Sequence, residues 1–156
     1  MIRSLYVHVP FCLRKCKYCD FYSLPVVGCR ELFHRYPRLL EEELRLWNQQ
    51  VELNSLSTIY FGGGTPSLLP PEDIAHFLSQ LNYLQAEITL EANSETLTPQ
   101  NLHGFRAAGI NRLSIGAQSF DPKHLMNMGR SHTPEQIRAA VRAGRTAGFT
   151  NIGLDL

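Results

Sequence analysis

The sequence predicts an α/β fold: a parallel sheet covered by helices. Short apolar runs recur at LYVHV (5–9), STIYF (57–61), EITLEA (87–92), RLSIGA (112–117) and NIGLDL (151–156). Between them lie segments with apolar residues at helical spacing. Proline and glycine punctuate the boundaries, as strand–helix alternation requires. Repeated βα units of this kind build a parallel sheet whose chemistry gathers at the carboxyl ends of the strands.

The first strand, 5–9, runs into a cysteine-rich loop. A helix is expected over 37–52, with Leu39, Leu40, Leu44 and Trp47 on one face and Pro37 in its first turn, where a missing N–H costs nothing. The second strand, 57–61, leads through a glycine turn to a helix over 71–83 that carries Ile74, Phe77, Leu78 and Leu81. After the third strand comes a helix over 99–108, stopped by Gly109. The fourth strand precedes a short helix over 122–128 and a longer one over 134–147, closed by Gly148; 151–156 is the fifth strand. No internal repeat, low-complexity tract or linker interrupts the order, so 1–156 reads as one domain. Leu156 ends an apolar strand without a following helix, which would leave a bare sheet edge. The expectation is therefore a domain incomplete at its C-terminus. The alternative on these residues is a small complete flavodoxin-like domain.

With 156 residues, 44% hydrophobic and 19% charged, the chain is globular in composition. A net charge of +1 gives no field that would recruit nucleic acid or an anionic membrane, so neither is an expected partner. The opening MIRSLYVHVP has no long apolar core, and no later stretch approaches the roughly eighteen apolar residues of a membrane span. The expected location is the cytoplasm. There the four cysteines stay reduced, which points to metal or redox chemistry rather than a disulfide framework.

Three of those cysteines form Cys12-x-x-x-Cys16-x-x-Cys19. Three thiolates fill three corners of a cubane iron–sulfur cluster and leave one iron without a protein ligand. The competing reading is a zinc site that adds Cys29. The stretch between Cys19 and Cys29 holds Pro25 and two valines and supplies no second short-spaced pair, so Cys29 reads as an ordinary half-buried residue. Arg14, Lys15 and Lys17 are either solvated loop charges or positive charge beside an electron-rich cluster. The turn Phe61-Gly62-Gly63-Gly64-Thr65-Pro66-Ser67 lacks every Cβ that would hold a ligand off the backbone, yet has no Lys-Ser/Thr of a phosphate loop. Glu91 ends an apolar strand, where a carboxylate needs a partner or solvent.

The segment Tyr6-Val-His8-Val-Pro-Phe-Cys12-Leu-Arg-Lys-Cys16-Lys-Tyr18-Cys19-Asp20-Phe21 resembles radical S-adenosylmethionine (radical SAM) proteins, and most of all the coproporphyrinogen dehydrogenase-like group with its Y-x-H-x-P-F-C opening. The resemblance runs from Leu5 to Leu156. It implies a partial (β/α)6 TIM-like barrel, with about five parallel strands present. It also implies a [4Fe–4S] cluster on Cys12, Cys16 and Cys19 with S-adenosylmethionine (SAM) on the open iron. There an electron from the reduced cluster would break SAM into methionine and a 5′-deoxyadenosyl radical. By the same resemblance Tyr6 is a cofactor contact, Tyr18 packs on the SAM adenine, and Gly63, Gly64 and Thr65 close on the aminocarboxylate end. Glu91 and Gln118 also face SAM, Arg130 meets its carboxylate, and Asp155 lies near the ribose.

In the dehydrogenases a further cysteine stands two positions after the last ligand, whereas here the order is Cys19-Asp20-Phe21. With EAN and GAQSF, this resembles the HemW group of haem chaperones. That likeness implies haem as a further ligand, an electron donor such as flavodoxin or ferredoxin, and haem-receiving respiratory proteins as partners. The haem-binding residues of that group are expected beyond Leu156. The alternative is an oxygen-independent coproporphyrinogen III oxidase that decarboxylates propionates by radical hydrogen abstraction. For His8, a packed core role and a site role stand equally open. His34, His76, His103 and His124 read as surface residues, and His132 could line the pocket mouth.

Overall fold

Each of the five apolar runs is a strand. A computed structural model describes residues 2–51, 53 and 55–156. Strands β1 (Ser4–Val9), β2 (Thr58–Gly63), β3 (Glu87–Asn93), β4 (Arg112–Gly116) and β5 (Asn151–Asp155) pair in parallel, in the spatial order 1-2-3-4-5. A flavodoxin-like sheet would have the order 2-1-3-4-5, so that alternative fails. Sequential order is what a βα barrel gives when it is open between two strands. A second, minimal pairing of Phe11–Cys12 with Leu24–Pro25 closes the base of the cysteine loop.

The helices are α1 (Arg30–Trp47), α2 (Pro71–Ser79), α3 (Pro99–Ala108), α4 (Pro122–Met128) and α5 (Pro134–Thr146). Two of them begin on capping boxes, Thr98 with Asn101 and Thr133 with Gln136, each followed by proline at the first helical position. Gly109 ends α3 at φ 107, a left-handed conformation that favours glycine.

Helix α1 differs from expectation. It starts at Arg30, so Pro37 lies inside it rather than in its first turn. The two extra N-terminal turns are held by tertiary contacts: Phe33 and Tyr36 both pack edge-on against Phe11, with ring centroids at 5.2 and 5.3 Å, and the Tyr36 hydroxyl donates to the His8 carbonyl. Packing of this kind outweighs the hydrogen bond that proline removes. The expected end of this helix, Glu52, lies outside the described residues. Helix α2 stops at Ser79 instead of running to 83, its last turn closed by Gln80 N–H to the Phe77 carbonyl.

The two faces of the sheet differ in chemistry. Val7, Val9, Ile59, Phe61, Ile88, Leu90, Leu113 and Ile115 are buried on one face against Leu44, Ile74, Phe77, Leu102 and Phe105 of the helices. Because side chains alternate along a strand, their neighbours line the opposite face. Register sets them in rows: Tyr6, Tyr60, Thr89, Arg112 and Asn151 in one, Glu91, Ser114 and Gly153 in the next, Asn93, Gly116 and Asp155 in the last. A barrel interior packed only for stability is filled by branched apolar residues. This polar face is suited instead to a ligand, and Asn93 of its outermost row is linked to the cysteine loop through Thr65 and Arg130.

Candidate functional site

The cysteine loop leaves β1 through Pro10 and is tied down at three points. The Leu24 N–H donates to the Pro10 carbonyl at 2.8 Å, Cys19 N–H to the Cys16 carbonyl at 3.3 Å, and Lys17 N–H to the Met128 carbonyl at 3.4 Å. Cys12, Cys16 and Cys19 are free thiols of intermediate exposure. Burial raises the pKa of Cys16; Arg130 opposes this, while Cys19, Cys12 and Glu95 add to it. Cys29 is set apart: it precedes α1, and its thiol donates to the Pro25 carbonyl at 3.0 Å. Arg14, Lys15 and Lys17 are exposed.

The glycine turn packs directly on this loop. Gly64 N–H donates to the Val9 carbonyl at 2.8 Å and Thr65 N–H to the Phe11 carbonyl at 2.7 Å. A Cβ on Gly64 would lie 2.5 Å from the Phe11 carbonyl oxygen, and one on Gly63 would lie 2.7 Å from the His8 ring. The buried Thr65 hydroxyl donates to Cys12 Sγ at 3.6 Å. Glu91 is held from two sides, by the Tyr60 hydroxyl at 2.7 Å and by Gly63 N–H at 3.1 Å. Burial and then the bond to Glu91 raise the Tyr60 pKa, so the phenol remains a donor. Tyr6 stacks beside Tyr60 at 6.1 Å, and its hydroxyl is 3.1 Å from His8 Nδ1. His8 Nε2 reaches the Tyr22 carbonyl at 3.0 Å, so this histidine braces the loop that follows Cys19.

Arg130 links the loop to the sheet. Its Nε and Nη2 donate to the Tyr18 hydroxyl at 3.1 and 2.6 Å, and Nη1 donates to Asn93 Oδ1 at 2.8 Å. Asn93 Nδ2 donates in turn to Thr65 Oγ1 at 3.2 Å. Gln118 has a left-handed backbone, φ 63, fixed by its N–H donating to the Asp155 carbonyl at 2.7 Å. The Asp155 carboxylate accepts from Ser114 Oγ at 3.0 and 3.2 Å.

His132 does not line a pocket mouth. It is buried, with Nδ1 at 3.1 Å from Glu95 Oε2 and Nε2 at 3.1 Å from the Ala117 carbonyl. This bridge joins the segment after β3 to the turn after β4. The bond to His132, against the effect of burial and aided by Ser131, lowers the Glu95 pKa below its ordinary 4.5. A carboxyl with a depressed folded pKa contributes stability that is fully present above the unfolded value and is lost as pH falls through the folded one. Acid titration should therefore destabilise the wild type more steeply than Glu95→Gln at pH below about 4.5; superimposable acid limbs would sink the assignment.

The profile of the Radical SAM superfamily matches residues 6–156. The chain belongs to the radical SAM superfamily. It is 35% identical to the haem chaperone HemW of Haemophilus influenzae and 38% identical to that of Mycobacterium tuberculosis, covering 98% of this chain but 42% and 41% of theirs. The solved structure of coproporphyrinogen III oxidase (HemN) from Escherichia coli, a radical SAM enzyme, superposes with a TM-score of 0.79 at 28% identity, over 98% of this chain and 36% of the other. The chain thus spans about two fifths of the length of the curated relatives it matches. Its sheet is a partial radical SAM barrel.

Family membership implies an iron–sulfur cluster and SAM, and the cysteine loop fits such a cluster. It offers three free, half-buried thiols near a guanidinium, with a hydroxyl proton aimed at one sulfur. Among the described residues no three His, Cys, Asp or Glu side chains gather as ligands of a single ion. A cubane differs in placing each thiolate on its own iron. Of the residues that family resemblance nominates, Gly63, Gly64, Thr65, Gln118 and Asp155 lie at or just past the carboxyl ends of strands, Glu91 one row and Tyr6 two rows deeper, Tyr18 in the cysteine loop and Arg130 in the segment after α4. Sequence reasoning missed Asn93, Tyr60, Glu95 and the buried place of His132. Asn93 was legible by period two from Glu91; the Glu95–His132 pair leaves no local signal.

Proposed function

We propose that residues 1–156 form the core of a HemW-like haem chaperone, with a [4Fe–4S] cluster on Cys12, Cys16 and Cys19 and SAM on the fourth iron. The observation that carries this is the junction of loop and sheet: Arg130 bonds both Tyr18, next to the last cysteine, and Asn93 at the end of β3. When bound, the cluster supplies one electron and an open iron to SAM. The residues of the chain position that ligand. Gly63 and Gly64 let the turn close on His8 and Phe11, which brings its backbone and Thr65 beside the cysteine loop for the aminocarboxylate end. Arg130 offers planar, charge-assisted donors to its carboxylate. Glu91 and Gln118 supply further polar contacts, Tyr18 and Tyr6 flat faces, and Asp155 an acceptor for the ribose.

Haem delivery to respiratory proteins, cytoplasmic location and reduction by a flavodoxin or ferredoxin complete the reading. Among the described residues no helix is long and apolar enough to cross a membrane. The second reading is an oxygen-independent coproporphyrinogen III oxidase, favoured by the likeness to HemN. Against it stands Phe21, 67% exposed where the resemblance to the dehydrogenases would put a further cysteine. The full chain, reconstituted without oxygen, is to be assayed for haem binding and for protoporphyrinogen formation from coproporphyrinogen III. Haem binding without product is expected; SAM-dependent product would transfer the protein to the second reading.

A further inference from the structure

We infer that Asn93 and Thr65 form a relay that sets the reduction potential of the cluster through a hydrogen bond to Cys12 Sγ, with Asn93 as the positioning residue. The inference rests on the cluster reading proposed above. The orientation of the Asn93 amide follows from its partners: Arg130 only donates, so the oxygen must face Nη1 at 2.8 Å and the nitrogen must face Thr65 Oγ1 at 3.2 Å. An amide nitrogen cannot accept, so Thr65 receives that bond and keeps its single proton for Cys12 Sγ, 3.6 Å away. Thr65 is 2% exposed and its N–H is committed to the Phe11 carbonyl at 2.7 Å, so the hydroxyl is fixed beside the sulfur and shielded from competing water.

A donor to a ligating thiolate stabilises the reduced, more negative cluster and raises its potential. The radical SAM reaction needs a strong reductant, yet the cluster must also be reducible by its donor. This relay places the potential between those demands. Its other end is Arg130, the proposed carboxylate contact, so ligand at Arg130 and charge at Cys12 share one side chain.

The test is an anaerobic redox titration, followed by electron paramagnetic resonance (EPR), of the reconstituted full chain. Thr65→Val removes the hydroxyl without changing shape. It should change the oxidised-to-reduced ratio at fixed potential on the order of tenfold, a shift of about 59 mV to more negative values for one electron. Thr65→Ser, which restores the donor, should titrate near wild type. Asn93→Asp replaces the amide donor with an acceptor, which turns the Thr65 proton away from sulfur and lowers the potential likewise. Added to Thr65→Val, Asn93→Asp should shift the potential by less than the sum of the single effects, because the charge of the new carboxylate still acts while its pull on the Thr65 proton is gone. Full additivity, or Thr65→Val and Thr65→Ser both at the wild-type potential, would overturn the relay alone. Wild-type protein that takes up no cluster would overturn the cofactor reading as well.

Discussion

Replacing Cys12, Cys16 or Cys19 with alanine removes the iron–sulfur chromophore from anaerobically reconstituted protein, and Cys29→Ala keeps it with about four irons per chain. The asymmetry follows from where the thiols stand. The three of the loop are half-buried, and the pKa of Cys16 responds to Cys12 and Cys19. Cys29 packs against the helix-side core and donates its S–H to the Pro25 carbonyl. A cubane anchored by two thiolates and no third is not retained, so each single loss should be close to complete. Iron content and visible absorption read the result. Zinc bound in place of iron, or loss of the chromophore in Cys29→Ala, would contradict it.

Gly64→Ala should be nearly as damaging, although it adds one methyl group and removes no ligand. That Cβ would sit 2.5, 2.8 and 2.9 Å from the O, N and C atoms of Phe11, all backbone, which cannot rotate aside. Phe11 in turn is fixed by Thr65 N–H on its carbonyl and by pairing with Leu24. Relief must come from moving the strand that presents Cys12. Overpacking of this kind typically costs about 1–3 kcal/mol, and here the displaced segment carries Cys12, a proposed cluster ligand. Denaturation of the apoprotein should show that loss, and reconstitution should show reduced iron. Gly28→Ala is the control, because nothing lies within 4 Å of its added carbon. A Gly64→Ala protein of wild-type stability and full iron content would refute the close approach.

Much of this was legible in residue order. Apolar runs marked all five strands. Of the polar residues nominated around their ends, Thr65 reaches Cys12 and Arg130 reaches Tyr18, while Glu91, Gln118 and Asp155 bond within the sheet and its turns. The start of α1 was hidden because Pro37 is a helix-start residue by local rules, while the turns before it are stabilised by Phe33 and Tyr36 against Phe11, contacts over twenty residues apart in sequence. The polar face was legible but unused: Tyr6-x-His8, Thr89-x-Glu91-x-Asn93 and Ser114-x-Gly116 alternate with apolar residues, where a parallel strand buried on both faces would be apolar throughout. His132 against Glu95 could not be read at all, since its partners come from different βα units.

One loop of three cysteines and one rim of strand-end residues are proposed to hold a cluster and SAM together. The most direct test is the EPR spectrum of the reduced cluster with and without SAM. Saturating SAM should change that spectrum, because SAM is proposed to occupy the iron that lacks a cysteine. Arg130→Ala and Glu91→Ala should demand on the order of tenfold more SAM for the same change, each having lost a charge-assisted contact worth about 1.5–3 kcal/mol. A spectrum from the wild type that is indifferent to saturating SAM would contradict the account.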